Sequence, residues 1–363
     1  MIIYIVLLAL VFMYGLIPYH MHNSQQSEKI FLILSFTTMI LILGLRGNSV
    51  GEDTNHYIKI FNYSANVQWN DMLHSTGMRT VYYVNQYGYK DTVENGFLAI
   101  CKFVHFFTDN AQVFLFFIGS VTCCLFAKFI YDNCGKVFFP TLVFLCESMY
   151  MFSFNGIRQM LAVAITLQAY TFLRHRQLKK AVAVILSAAL IHNVALIALV
   201  LIPVMYLKTN KGTKSFKYVI AASILTPLAI VYFSNIVVKI FPRYESYFTV
   251  NYWTNSIGGS ALLYLVEIVL VIVMYMKNFK MEQSYQLAIL ILLFLACEIF
   301  GLRMTMFSRV GWFFRAYLIL FFQNGCLYFS GKTKKYIILG IGALLILLFI
   351  SYARTPYRQY SFC

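Results

Sequence analysis

A chain of 363 residues that is 60% hydrophobic and only 12% charged excludes a soluble globular enzyme. Its net charge of +16 does not point to nucleic acid, because the lysines collect in short connectors between apolar runs; the charge reads as topology and attraction to anionic membrane lipid. The composition defines an all-α polytopic membrane protein, a single membrane domain over 1–363 with about 10–12 transmembrane helices.

Apolar runs of spanning length occur near 2–19, 29–46, 111–130, 137–154, 156–173, 218–238, 259–276, 286–301, 308–329 and 336–351. The first has no basic residues before it and no small-residue cleavage pattern after it, so it reads as a retained span. Two shorter runs, 180–191 and 194–207, meet at His192–Asn193 and form either short tilted spans or a re-entrant pair with His192 at its apex. Lys29, Lys128 with Lys136, Arg174 to Lys180, Lys208 to Lys217, Lys277 with Lys280, and Lys332 to Lys335 alternate onto one side, which the positive-inside rule makes cytoplasmic. Both termini then lie outside. No disulfide framework or metal-ligand spacing is visible among the cysteines.

The opposite side is rich in arginine: Arg46, Arg79, Arg158, Arg243, Arg303, Arg309, Arg315, Arg354 and Arg358 fall at or near the other ends of the runs. Guanidinium grips phosphate through two parallel hydrogen bonds, so an arginine-rich face against the usual bias points to a phosphorylated lipid or similar anion. That face also carries the long polar loop 47–95, followed by an amphipathic piece at 96–107, and a second loop at 239–258 with Arg243, Tyr244 and Trp253. Its aromatic residues also suit interfacial anchoring.

Three constellations on this face could carry chemistry. At 45–57, Arg46 is followed by Gly47, Gly51, Glu52, Asp53 and Tyr57. A carboxylate here could deprotonate a sugar hydroxyl, bind a divalent cation, or simply pair with Arg46. At 154–165, Arg158 and Gln159 open a helix. The dipole opposes a cation in a first helical turn, so Arg158 calls for an accompanying anion, unless it reaches out to lipid headgroups. At 301–315, Arg303 is placed in a turn, Arg309 is expected to point inward, and Arg315 lies deeper. His192 fits either a helix–helix hydrogen bond or acid–base chemistry. Glu147, Glu267 and Glu298 lie within spans, where buried carboxylates can also serve transport.

With Arg46-Gly47, Gly51-Glu52-Asp53-Thr54 and Tyr57, with Asn155-Gly156-Ile157-Arg158-Gln159, with His192 after its short apolar run and with Arg309 before an aromatic helix, the chain resembles the EpsG-like branch of the Wzy polymerases. The resemblance implies a GT-C-like membrane glycosyltransferase of the bacterial inner membrane, working at the periplasmic face. It would move a growing glycan from undecaprenyl diphosphate to the terminal sugar of an incoming lipid-linked repeat unit, with membrane lipid around it and a chain-length regulator as a further partner.

On that expectation Arg158, Arg303 and Arg309, joined by Arg46 and Arg243, bind the donor diphosphate. Asp53 or His192 is the base, and Glu52, Tyr57, Gln159 and Tyr244 contact substrate. Guanidinium groups supply the charge stabilisation, so no metal or other cofactor is required. The alternatives are a lipid-linked oligosaccharide flippase or other transporter, and an O-antigen ligase with the same donor and a different acceptor.

Overall fold

The computed structural model describes residues 1–21, 24–74, 80–84, 90–208, 261–301, 305–354 and 360–362. The span expected at 218–238, the loop at 239–258 with Arg243 and Tyr244, and Arg79, Arg303 and Arg358 lie outside the described residues. The chain divides into two compact units, Met1–Leu196 with Ile346–Cys363, and Ile197–Leu345.

In the first unit, α1 (Ile2–His20) packs on α2 (Gln25–Gly44), which Ser24 caps by accepting the Ser27 N–H at 3.2 Å. The segment after α2 is the long polar loop of the sequence, and its described residues include regular elements: α3 (Thr54–Ser64), α4 (Trp69–His74) and an antiparallel ribbon of β1 (Thr80–Val84) and β2 (Lys90–Glu94), which runs directly into α5 (Asn95–His105).

These elements bury an apolar cluster of their own. Tyr57, Ile60 and Phe61 of α3 and Phe97, Leu98 and Cys101 of α5 pack with Phe114, Leu115 and Ile118 at the start of α6 (Ala111–Asn133). His105 locks α5 to α3, stacking on Phe61 at 3.9 Å with Nε2 2.8 Å from the Phe61 carbonyl. Phe103, Phe106 and Phe107 stay exposed beside Lys102, the composition of a helix end at a membrane interface.

The run expected as one span at 137–154 is broken into α7 (Phe138–Cys146) and α8 (Met149–Phe152). Ser148 between them takes a left-handed backbone (φ 62°), which no helix can continue through. Beyond it, α9 (Ile157–Arg174) packs on α6 and on α10 (Leu178–Ile191). His192 ends α10 in an extended conformation, and a 3₁₀ helix, Asn193–Val200, leads into α11 (Leu201–Tyr206) of the second unit.

Charges separate along the bundle of the first unit. At one end Glu28 accepts the Val137 N–H at 3.0 Å, and Arg174 donates to Asn133 at 2.9 Å, which brings Lys29, Lys136 and Arg174 to the same level. Arg46 and Arg158 sit at the other ends of α2 and α9. Within this unit Lys29, Lys136 and Arg174 therefore lie at the opposite end from Arg46 and Arg158.

The second unit contains α12 (Ala261–Met276), α13 (Glu282–Gly301), α14 (Thr305–Arg315), α15 (Leu318–Gly325) with a 3₁₀ turn at Cys326–Tyr328, and the first part of α16 (Gly331–Ala353). The run expected at 308–329 is thus two helices. Among the described helices, α1, α2, α6, α13 and α16 are long and apolar enough to cross a membrane.

Candidate functional site

The site begins with a backbone requirement. Gly51 has φ +94°, and a Cβ there would stand 2.5 Å from the Phe154 carbonyl oxygen and 3.0 Å from Asn155 Oδ1. Only glycine allows the loop after α2 to fold this closely onto the turn before α9. The Glu52 N–H donates to Asn155 Oδ1 at 3.1 Å, and the Thr54 hydroxyl donates to the Val50 carbonyl at 2.6 Å. The Gly51-Glu52-Asp53-Thr54 and Asn155-Gly156 motifs, about a hundred residues apart, are one structural unit.

At that junction Arg158, in the first turn of α9, forms an ion pair and hydrogen bond with Glu94. The sequence calls for an anion beside Arg158, and the chain supplies one itself. Glu94 sits at the hinge between β2 and α5. It is 4% exposed against 15% for Arg158, so the pair is largely removed from water.

The same carboxylate reaches a third element. His192 Nδ1 lies 3.6 Å from Glu94 Oε1, and the Asn193 N–H donates to that oxygen at 3.4 Å. Close approach of α5 and α10 depends on Gly96, where a Cβ would be 2.5 Å from the Leu190 carbonyl oxygen. Phe97 completes the floor: the Arg158 guanidinium lies 5.9 Å from its ring, and the Tyr57 ring meets it edge-on at 5.9 Å.

Electrostatics follow from this packing. Burial pushes the Glu94 carboxyl up, but the His192 ring and the Arg158 guanidinium outweigh it and hold the group at about 2. Glu94 is therefore ionised at any physiological pH. Burial pushes the Tyr57 phenol up against the opposing pull of Arg158, so its hydroxyl keeps its proton. The cluster brings a guanidinium, a carboxylate, an imidazole and a neutral hydroxyl together, largely out of water.

Tyr57 and Gln159 are buried at this junction, while Glu52 and Asp53 are exposed at the start of α3. Arg46 does not pair with Glu52 or Asp53. Its Nη1 donates to the Leu43 carbonyl at 3.4 Å, its guanidinium lies 5.1 Å from the Phe154 ring, and the chain near the C-terminus covers it through the Arg46–Phe362 bridge and the Gly47 N–H to Ser361 carbonyl bond of 2.8 Å. Arg309 belongs to the second unit and is exposed on α14, contrary to the expectation that it points inward. The buried arginine of that helix is Arg315, 3.9 Å from Glu298 and stacked over Trp312 and Phe294; Glu298 also accepts from the Tyr264 hydroxyl at 2.6 Å. Six residues turn a helix by roughly 240°, so Arg309 and Arg315 cannot share a face.

Glu94 is the residue that sequence reasoning missed. It sits in a polar stretch of mixed charge, and nothing in its spacing to Arg158 or His192 marks it. Its only local signal is its place just before Asn95-Gly96 and an amphipathic run. Among the described residues no group of three or more His, Cys, Asp or Glu side chains is placed to hold a metal ion.

Fold and site together define a polytopic, all-α membrane protein with a buried ionic cluster where β2, α5, α9 and α10 meet. Residues 29–362 match the family model described as the EpsG family, so the chain belongs to the EpsG family of polysaccharide polymerase-like membrane proteins. Neither a curated protein nor a solved structure matches it.

Proposed function

We propose that this protein is a glycosyltransferase that polymerises oligosaccharide repeat units carried on undecaprenyl diphosphate, at the periplasmic face of the bacterial inner membrane. The observation that carries the reading is the Glu94–Arg158–His192 cluster. A carboxylate beside an imidazole orients the ring and stabilises its protonated form, which is what a general base needs while it removes a proton from a sugar hydroxyl.

In this reading His192 takes the proton of the acceptor hydroxyl, and the hydroxyl oxygen attacks the anomeric carbon of the donor. The bond from that carbon to the diphosphate oxygen breaks, and the lipid diphosphate leaves as an anion. Arg158 stabilises the charge that develops on the leaving oxygens, with Glu94 holding the guanidinium in place between turnovers. Tyr57, a neutral donor, and Gln159 contact the sugars. Asp53 is exposed at the start of α3, whereas His192 is buried beside the Glu94 carboxylate, which favours His192 as the base.

The test is reconstitution. Purified protein in proteoliposomes, given lipid-linked repeat units alone, should yield products of two and more repeats together with free undecaprenyl diphosphate. Movement of intact single-repeat lipid across the bilayer without lengthening would identify a flippase. Transfer only when a lipid A core acceptor is added would identify a ligase.

A further inference from the structure

Arg46 is 1% exposed, and among the described residues its Nε and Nη2 have no hydrogen-bond acceptor. These two nitrogens form the side edge of the guanidinium, the fork that ordinarily grips an anion at two points. The partners it does have, the Leu43 carbonyl at the end of α2 and the Phe154 ring, carry no formal charge. A buried guanidinium without a counter-charge is costly, so a guest that supplies one is strongly favoured.

Arg46 also lines a small cavity among Leu43, Leu115, Ile118 and Gly119 of α2 and α6, and Ile157 and Met160 of α9. Glu94, Arg158 and His192 are not part of its wall. Its volume of about 10 Å³ is the scale of one water-sized or monatomic guest, too little for a phosphate group. Two polar residues on the wall, Thr122 and Ser153, direct their hydroxyl protons to the Ile118 and Met149 carbonyls at 2.9 and 3.0 Å, which leaves the Arg46 fork as the donor set.

We propose that this cavity is a binding site for a halide ion, held by Arg46 Nε and Nη2 and walled by apolar side chains. A halide is small, needs few donors and loses less on leaving water than a multiply charged oxyanion. The site ties together the ends of α2, α6 and α9 beneath the chain near the C-terminus, and it is independent of the polymerase reading because it shares no residue with that cluster.

The test uses the full-length protein in detergent, with thermal unfolding followed in chloride, bromide and gluconate at one ionic strength. Inorganic phosphate and mixed micelles containing an anionic phospholipid form separate arms. The expected result is a saturable rise in Tm with chloride and bromide only, lost in Arg46→Met and reduced in Arg46→Lys, which keeps the charge but not the fork. Equal Tm in all salts, stabilisation by phosphate or anionic lipid without halide, or an unchanged halide response in Arg46→Met would each overturn the proposal. Should Arg46→Met fail to fold, anomalous scattering from bromide in crystals of the unaltered protein decides the matter: a peak within hydrogen-bonding distance of Nε and Nη2 supports the site, and its absence rejects it.

Discussion

The Glu94 carboxylate and the Arg158 guanidinium form a largely buried ion pair although 64 residues separate them in sequence. The pair ties the β1–β2 ribbon and α5 to the first turn of α9, and His192 at the end of α10 joins it from a third direction. Removing one member leaves the other charged and buried. Glu94→Gln should therefore destabilise the protein by about 3 kcal/mol, in the range for broken buried pairs, and abolish polymerisation. Chemical unfolding of the variant beside wild type measures the first, and in vitro chain extension the second.

The same pair gives a pH dependence with a definite sign. The Glu94 carboxyl is held at about 2, below its ordinary value of 4.5, so its contribution is fully present above about pH 4.5 and is lost as pH falls toward 2. Each tenfold rise in a carboxyl's acidity constant is worth about 1.4 kcal/mol, which makes the whole contribution about 3 kcal/mol. Thermal unfolding between pH 3 and 7 should show the stability gap between wild type and Glu94→Gln narrowing as the solution is acidified. A gap that widens toward acid pH would contradict the assigned ionisation.

The helical membrane architecture is legible in the sequence because an apolar run of twenty residues has few alternatives, and in the first unit the basic connectors stand in space as they alternate along the chain. Arg158 is legible for a physical reason, since a cation in a first helical turn needs an anion. Glu94 is not, because it is selected by a tertiary approach of α5 to α10 that depends on Gly96 and on burial, neither of which has a periodic signature. The inward placement expected of Arg309 fails for a related reason: spacing along a helix orders residues around its axis but does not say which face turns inward.

Gly51 joins the two motifs, so Gly51→Ala should disturb both. Its left-handed backbone alone costs an alanine about 1–2 kcal/mol, and the added methyl meets the Phe154 carbonyl oxygen, a backbone atom that cannot swing aside. The expected outcome is reduced thermal stability together with reduced chain extension. A variant with wild-type stability would show that this loop does not need its close approach to α9.

Sidedness can be read directly. In a cysteine-free background, a cysteine at Asn62 on α3 should react with an impermeant thiol reagent added from outside, and one at Lys211 should not. The reverse pattern would invert the topology and move the Glu94–Arg158–His192 cluster to the cytoplasmic face.

If the Glu94–Arg158–His192 cluster polymerises lipid-linked repeats, the length distribution of surface glycan in cells reports it. Cells lacking this protein should be complemented with wild type, Arg158→Ala, Arg158→Lys and His192→Gln, with membrane insertion verified for each. Wild type should give a full polymer ladder, and Arg158→Ala and His192→Gln only single-repeat glycan. Arg158→Lys should rescue poorly, because lysine keeps the charge but loses the planar two-point grip. A full ladder in both Arg158→Ala and His192→Gln, or loss of single-repeat product along with polymer, would contradict polymerisation by the cluster.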